Sequence, residues 1–166
     1  SGSISYSSSS GTLGINDFGL RNESFTIEAW IRMTTGGTNK VIYTNYGSSV
    51  STQIGAFIFM ITTGDKLAVL RSGLNTLAST TTLQVDTTYY VAFTYDHSGP
   101  VWTLYVDGVQ EASGSNGGQI TSSPSTNKIG GGDGSSDINT WQFIGLIDDV
   151  RVTKGIRTIS GIPSDP

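Results

Sequence analysis

The residues in this chain that could do chemistry are few, and their types narrow what that chemistry can be. There are one histidine, His97, three glutamates, Glu23, Glu28 and Glu111, and no cysteine. The absence of cysteine excludes disulfides, thiolate metal sites and thiol nucleophiles. A Ser-His-Asp site would have to use His97, which falls in DHSGP, a turn sequence, and no Gly-x-Ser-x-Gly elbow occurs. These residues give a catalytic site no footing, and the expectation is a protein that is not an enzyme.

The adjacent carboxylates of FIGLIDDVRV, Asp148 and Asp149, pose a different question. Neighbouring side chains on a strand point to opposite faces, so only one of the two can look into a core. Simple alternation groups Leu146, Asp148, Val150 and Val152 against Ile147, Asp149, Arg151 and Thr153. That parity puts Asp148 at the edge of the core, where a buried carboxylate needs a partner, either a hard cation such as Ca2+ or backbone N–H groups. It turns Asp149 and Arg151 outward, where a charge ladder with Glu28 and Arg32 follows if the early and late strands pair. Asp133 and Asp137, four apart in GGGDGSSDINTW, form a second possible metal pair. They lack the ligand series and closing Glu of an EF-hand, and a solvated Gly-rich loop explains them equally well.

Sugar recognition calls for aromatic faces with amides or carboxylates beside them. Tyr43, Asn45 and Tyr46 in YTNYGSS, Asn139 and Trp141 in INTWQF, and Trp30 in FTIEAWIRM have that chemistry. The first five have a competing reading as the edge of a core, and Trp30 has one in which neighbouring long side chains cover it. Trp102, alternating with Leu104 and Val106, reads as core.

The elements that must position these residues are strands. In residues 25–33, Phe25, Ile27, Ala29, Ile31 and Met33 share one face, and Glu28, Trp30 and Arg32 the other. Residues 54–71 are two apolar runs around TTGDK, which predicts a hairpin, and Phe57 to Met60, apolar on both faces, predict a central strand. V-D-G-V at Asp107 and Gly108 predicts a second tight turn. Roughly a dozen short strands alternate with Gly-rich turns, and no segment keeps a helical period.

With 166 residues, 13% of them charged, and 22 glycines, the chain reads as one all-β domain over 1–166, with a core at about 4–157 and a tail at 158–166. The net charge of −4 and the scattered basic residues give no footprint for nucleic acid. No apolar run of about 18 residues predicts a membrane span.

Taken in order, DFGLRNESFTIEAWIR, TTYYVAFTYDHSGPVWTLYVDGVQ, NKIGGGDGSS and FIGLIDDVRVTKG resemble the laminin-G-like branch of the concanavalin A-like lectin/glucanase superfamily. The resemblance implies a two-sheet antiparallel jelly-roll sandwich, of the kind found in bacteriophage virion and bacterial surface proteins. It also implies a structural Ca2+ at the position of Asp148. The Phe-Asp-Gly often found after the first strand is here Tyr6-Ser7-Ser8, and the Glu-x-Asp-x-x-Glu strand of the glucanases is absent. The expectation is a non-catalytic module on a virion or cell surface, outside the cell, binding a glycan or surface polysaccharide. Its alternative is a decoration or assembly domain that contacts virion subunits and no sugar.

Overall fold

The computed structural model describes residues 4–6, 13–15, 18–45, 56–71, 76–115, 118–121, 127–131 and 141–163. Among them are twelve strands and no helix: β1 (Ile4–Tyr6), β2 (Leu13–Ile15), β3 (Phe25–Met33), β4 (Lys40–Thr44), β5 (Phe57–Ile61), β6 (Lys66–Arg71), β7 (Leu77–Thr82), β8 (Thr88–Asp96), β9 (Val101–Val106), β10 (Val109–Ser115), β11 (Asn127–Ile129) and β12 (Gly145–Lys154). They form two six-stranded sheets, ordered β1-β12-β3-β8-β9-β10 and β2-β11-β4-β5-β6-β7, with every pairing antiparallel. This is the jelly-roll sandwich expected from the strand count and from the resemblance.

The period-2 pattern of β3 places Phe25, Ile27, Ala29, Ile31 and Met33 in the space between the sheets. There they meet the inward residues of β5, β8 and β9 in one aromatic cluster. Phe57 lies at its centre, with ring centroids 5.4 Å from Phe25, 5.4 Å from Phe93, 5.9 Å from Tyr43 and 5.9 Å from Trp102. β5 sits between β4 and β6, and its apolar residues serve both faces. Phe57, Phe59 and Ile61 point into the sandwich, while Ile58 and Met60 join Val41, Ala56 and Ala68 in a second buried layer on the other side of that sheet.

Both turns foreseen from sequence form. The β5–β6 turn holds Asp65 at φ 54°, and the Thr62 hydroxyl accepts the N–H groups of Gly64 and Lys66. In the β9–β10 turn Asp107 and Gly108 both have positive φ, 51° and 79°, as a two-residue hairpin matched to strand twist requires.

A carboxylate fastens one edge of the sandwich. Glu111 is the extra residue where the register of β10 on β9 slips between Gln110 and Ala112. Its carboxylate accepts from the backbone N–H and the hydroxyl of both Thr80 and Thr81 on β7, so it ties the last strand of one sheet to the last strand of the other. Burial alone would raise its pKa, but these donors outweigh burial and hold the group below its ordinary 4.5. A folded-state pKa below the unfolded one gives stability that is complete above that ordinary value and is lost as pH falls through it. Glu111→Gln should therefore destabilise the fold by on the order of 1 kcal/mol at neutral pH, with a flatter loss of stability on acidification. Urea melts at pH 7 and below pH 4.5 check this, and an acid limb identical in the two proteins would refute it.

After β12 the chain turns back over the sheet as a strap, residues 155–161. Its anchors are the Gly155 N–H on the Ser24 carbonyl at 2.6 Å, the Thr26 hydroxyl on the Gly155 carbonyl at 3.0 Å, and the Arg157 N–H on the Thr26 hydroxyl at 2.9 Å. Farther along, Gly161 lies so close to Gly108 that a Cβ built on Gly108 would stand 2.4 Å from the Gly161 Cα. Only glycine at 108 allows both the positive φ and this crossing.

Candidate functional site

The even-numbered residues of β3 point away from the core, and the register shows what surrounds them. Trp30 pairs with Asp148 on β12 and with Tyr90 on β8; Glu28 pairs with Arg151 and Ala92; Arg32 pairs with Leu146 and Thr88. The expected pairing of early and late strands is present. The outer face of this sheet therefore gathers Trp30, Tyr90, Asp148, Glu28, Arg151 and Arg32.

Aromatic surface and charge are divided across it. The rings of Trp30 and Tyr90 pack at 5.6 Å with a 52° tilt, Tyr90 buried and Trp30 half-buried. The Tyr90 hydroxyl donates to Glu28, and Arg157 on the strap donates through Nη1 to both oxygens of the same carboxylate. Burial first, and the bond to Glu28 second, push the Tyr90 hydroxyl far above its ordinary pKa, so it is a donor at all physiological pH. The bond to Glu28 likewise raises Arg157. Arg32 reaches Asp86 at 3.3 Å, with both side chains substantially exposed.

The charge ladder expected of Glu28, Arg32, Asp149 and Arg151 is thus corrected. Glu28 and Arg151 stand opposite one another in register, but the Glu28 carboxylate is bound by Arg157 and Tyr90, and Arg32 is bound by Asp86. Asp149 faces no rung, because it lies in a β-bulge at φ 46°.

That bulge answers the question of the paired aspartates. Between Asp148 and Arg151, β12 spends one residue more than β3, so the parity of the strand switches. Ile147 faces the core before the bulge, and Val150 and Val152 pack against the core after it. Asp148 therefore does not share a face with Val150 and Val152, as simple alternation required; it points outward beside Trp30. Its Oδ1 accepts the Asp149 N–H at 2.8 Å, and Asp149 takes the left-handed conformation that aspartate tolerates better than most residues.

The remaining candidates separate by burial. Tyr43 is fully buried and donates to the Asn127 side chain at 2.7 Å, and Asn45 is buried and accepts the Phe57 N–H at 2.8 Å. Both are core positions rather than ligand contacts, since their polar atoms close gaps in the interior. Trp141 is half-buried against the layer of Val41, Ile58 and Met60. Tyr46, Asn139, Asp133 and Asp137 lie outside the described residues. Trp102 is fully buried, as expected.

Among the described residues no three acids or histidines come together as a metal would need. Ser24, His97 and Asp96 are neighbours but not in catalytic order. The Ser24 hydroxyl meets the backbone N–H of His97, not its ring, whose Nδ1 lies 3.4 Å from the Tyr95 hydroxyl. Neither Tyr90 nor Arg157 stands out as a site residue from the sequence. Alternation in TYYVAFTYD does put Tyr90 on the outer face with Ala92, whereas nothing local to Arg157 indicates that the chain folds back.

No curated protein matches the chain in sequence. Among solved structures, the carbohydrate-binding module of family 40 from the Ruminococcus gnavus IT-sialidase, solved with α2,3-sialyllactose, superposes with a TM-score of 0.74 at 15% identity, covering 93% of this chain and 90% of that one. A Bacteroides ovatus protein proposed to bind carbohydrate superposes at 0.65 with 20% identity, covering 93% of this chain and 46% of that one. The leech intramolecular trans-sialidase superposes at 0.77 with 14% identity, covering 99% of this chain and 27% of the enzyme. These likenesses establish a shared sandwich. Residues 7–162 match the model of one family along nearly the whole chain, and the protein belongs to the concanavalin A-like lectin/glucanases superfamily.

Proposed function

We propose that this domain is a non-catalytic glycan-recognition module whose contact surface is the outer face of the β1-β12-β3-β8-β9-β10 sheet around Trp30. The observation that carries the reading is the half-buried Trp30 ring, seated on Tyr90, with a carboxylate on one side and guanidiniums near it. A sugar presents C–H groups to such a ring and hydroxyls to the polar groups at its rim. The sandwich shared with carbohydrate-binding modules supports this reading. Service within a virion or cell-surface protein outside the cell belongs to the same proposal.

The test is binding to a broad panel of bacterial and algal polysaccharides, in calcium and in chelator. Trp30→Ala should weaken binding by about tenfold or more while leaving the melting temperature nearly unchanged, as expected of a stacking anchor. Calcium is part of the proposal through Asp148: a calcium-dependent signal lost in Asp148→Ala would support it, and equal binding in chelator would remove the ion. Binding untouched by Trp30→Ala would refute the site, and release of reducing ends from the bound glycans would refute the non-catalytic reading. Silence on every polysaccharide would favour an assembly domain contacting virion subunits.

A further inference from the structure

The outer face holds more positive charge near Glu28 than that carboxylate uses. Arg151 is the register partner of Glu28, is exposed, and forms no ion pair or side-chain hydrogen bond among the described residues. Arg157 reaches Glu28 through Nη1, and its side chain stays 39% exposed. Two guanidiniums from different segments, β12 and the strap, thus flank one carboxylate, while the chain as a whole carries −4. The buried Tyr90 hydroxyl binds the same Glu28 carboxylate that Arg157 binds and that Arg151 faces in register. The nearest acid in register, Asp148, lies beside Trp30, with one oxygen committed to the Asp149 N–H. Asp149, exposed in the bulge, is the other acid in this stretch.

A free guanidinium facing the outward position next to a stacking ring has a definite chemical preference. Its planar fork matches a carboxylate bidentately, and it does so better when a second guanidinium offsets the nearby acid. We propose that the module selects acidic glycans, binding a sugar ring on Trp30 and that sugar's carboxylate on Arg151, with Arg157 neutralising Glu28 so that the anion is not repelled. Asp148, beside the ring, accepts from hydroxyls of the same sugar. This inference rests on the Trp30 reading and adds the charge of the ligand to it.

The experiment compares oligogalacturonate and a sialylated trisaccharide with their carboxyl-reduced counterparts, by calorimetry at low and moderate salt. The expected result is that each acidic sugar binds about tenfold or more tightly than its reduced form, that salt narrows the gap, and that Arg151→Gln removes it while weak binding of the neutral form survives. Trp30→Ala should abolish both. Equal affinity for acidic and reduced sugars that is still lost in Trp30→Ala would overturn this inference and leave the Trp30 site standing. Acid selectivity unchanged by Arg151→Gln would also overturn it. No binding of any sugar would overturn both.

Discussion

Arg157→Ala is expected to cost about 3 kcal/mol of folding stability, and Glu28→Ala distinctly less, although the two residues form one ion pair. The reason is unequal burial: the Glu28 side chain is 4% exposed and that of Arg157 is 39% exposed. Without Arg157, a carboxylate remains under the strap with the Tyr90 hydroxyl as its one remaining side-chain donor among the described residues, and a buried charge stripped of its partner bears most of its desolvation cost. Without Glu28, the guanidinium turns to water and only the Tyr90 hydroxyl loses an acceptor. The double variant should be more stable than Arg157→Ala alone, because it removes the stranded charge. Urea melts of the four proteins form the cycle. Equal costs for the two single variants, or a double variant worse than either, would show that the strap is held by its anchors on the Ser24 carbonyl and the Thr26 hydroxyl rather than by this pair.

Phe57→Ala is expected to cost about 4 kcal/mol, the largest loss from any single aromatic truncation here. Phe57 is fully buried, and its ring meets rings from β3, β4, β8 and β9, so it joins the two sheets. The hole left behind is bounded by strands whose spacing is set by their hydrogen bonds, and such a site collapses poorly. Val109→Ala, at a residue 61% exposed, is the matched control and should change stability by less than about 0.5 kcal/mol. Equilibrium denaturation of both variants decides. A cost below about 1.5 kcal/mol for Phe57→Ala, within the range of a tolerated swap, would mean that the aromatic layer repacks freely.

Much of the fold was legible in sequence wherever a strand kept one period from end to end. FTIEAWIRM alternates without a break, and each of its five apolar residues lies in the core as its parity requires. The D-G turn at Asp107 and the two-sided apolar run at Phe57 were legible for the same reason, because local chemistry alone determined them. GLIDDVRVTK misled because alternation assumes no inserted residue. The bulge at Asp149 reverses the faces halfway along, and only the partner strand's register reveals it. The site was legible in part. Trp30 and Glu28 were assigned to the right face, but the partner of Glu28 comes from a segment that folds back after β12, an interaction 129 residues distant in sequence that no local pattern encodes. Tyr43 and Asn45 misled in the opposite sense, since residues that would suit a sugar also suit a core that must close its own hydrogen bonds.

The strap has a mechanical consequence. A tension on the chain at residue 163 would not load the ladder of β12 on β3 at once. It would reach the Gly161–Gly108 crossing first, then the Arg157 anchors, then Gly155 on Ser24, because these contacts follow one another back along the chain. Contacts met in series yield one at a time, as in peeling tape, whereas the paired strands beneath would be pulled along their length and resist together. Under such a pull the segment would give way in steps, like the strain relief on a cable, and the strand ladder would be loaded only after the strap had come away.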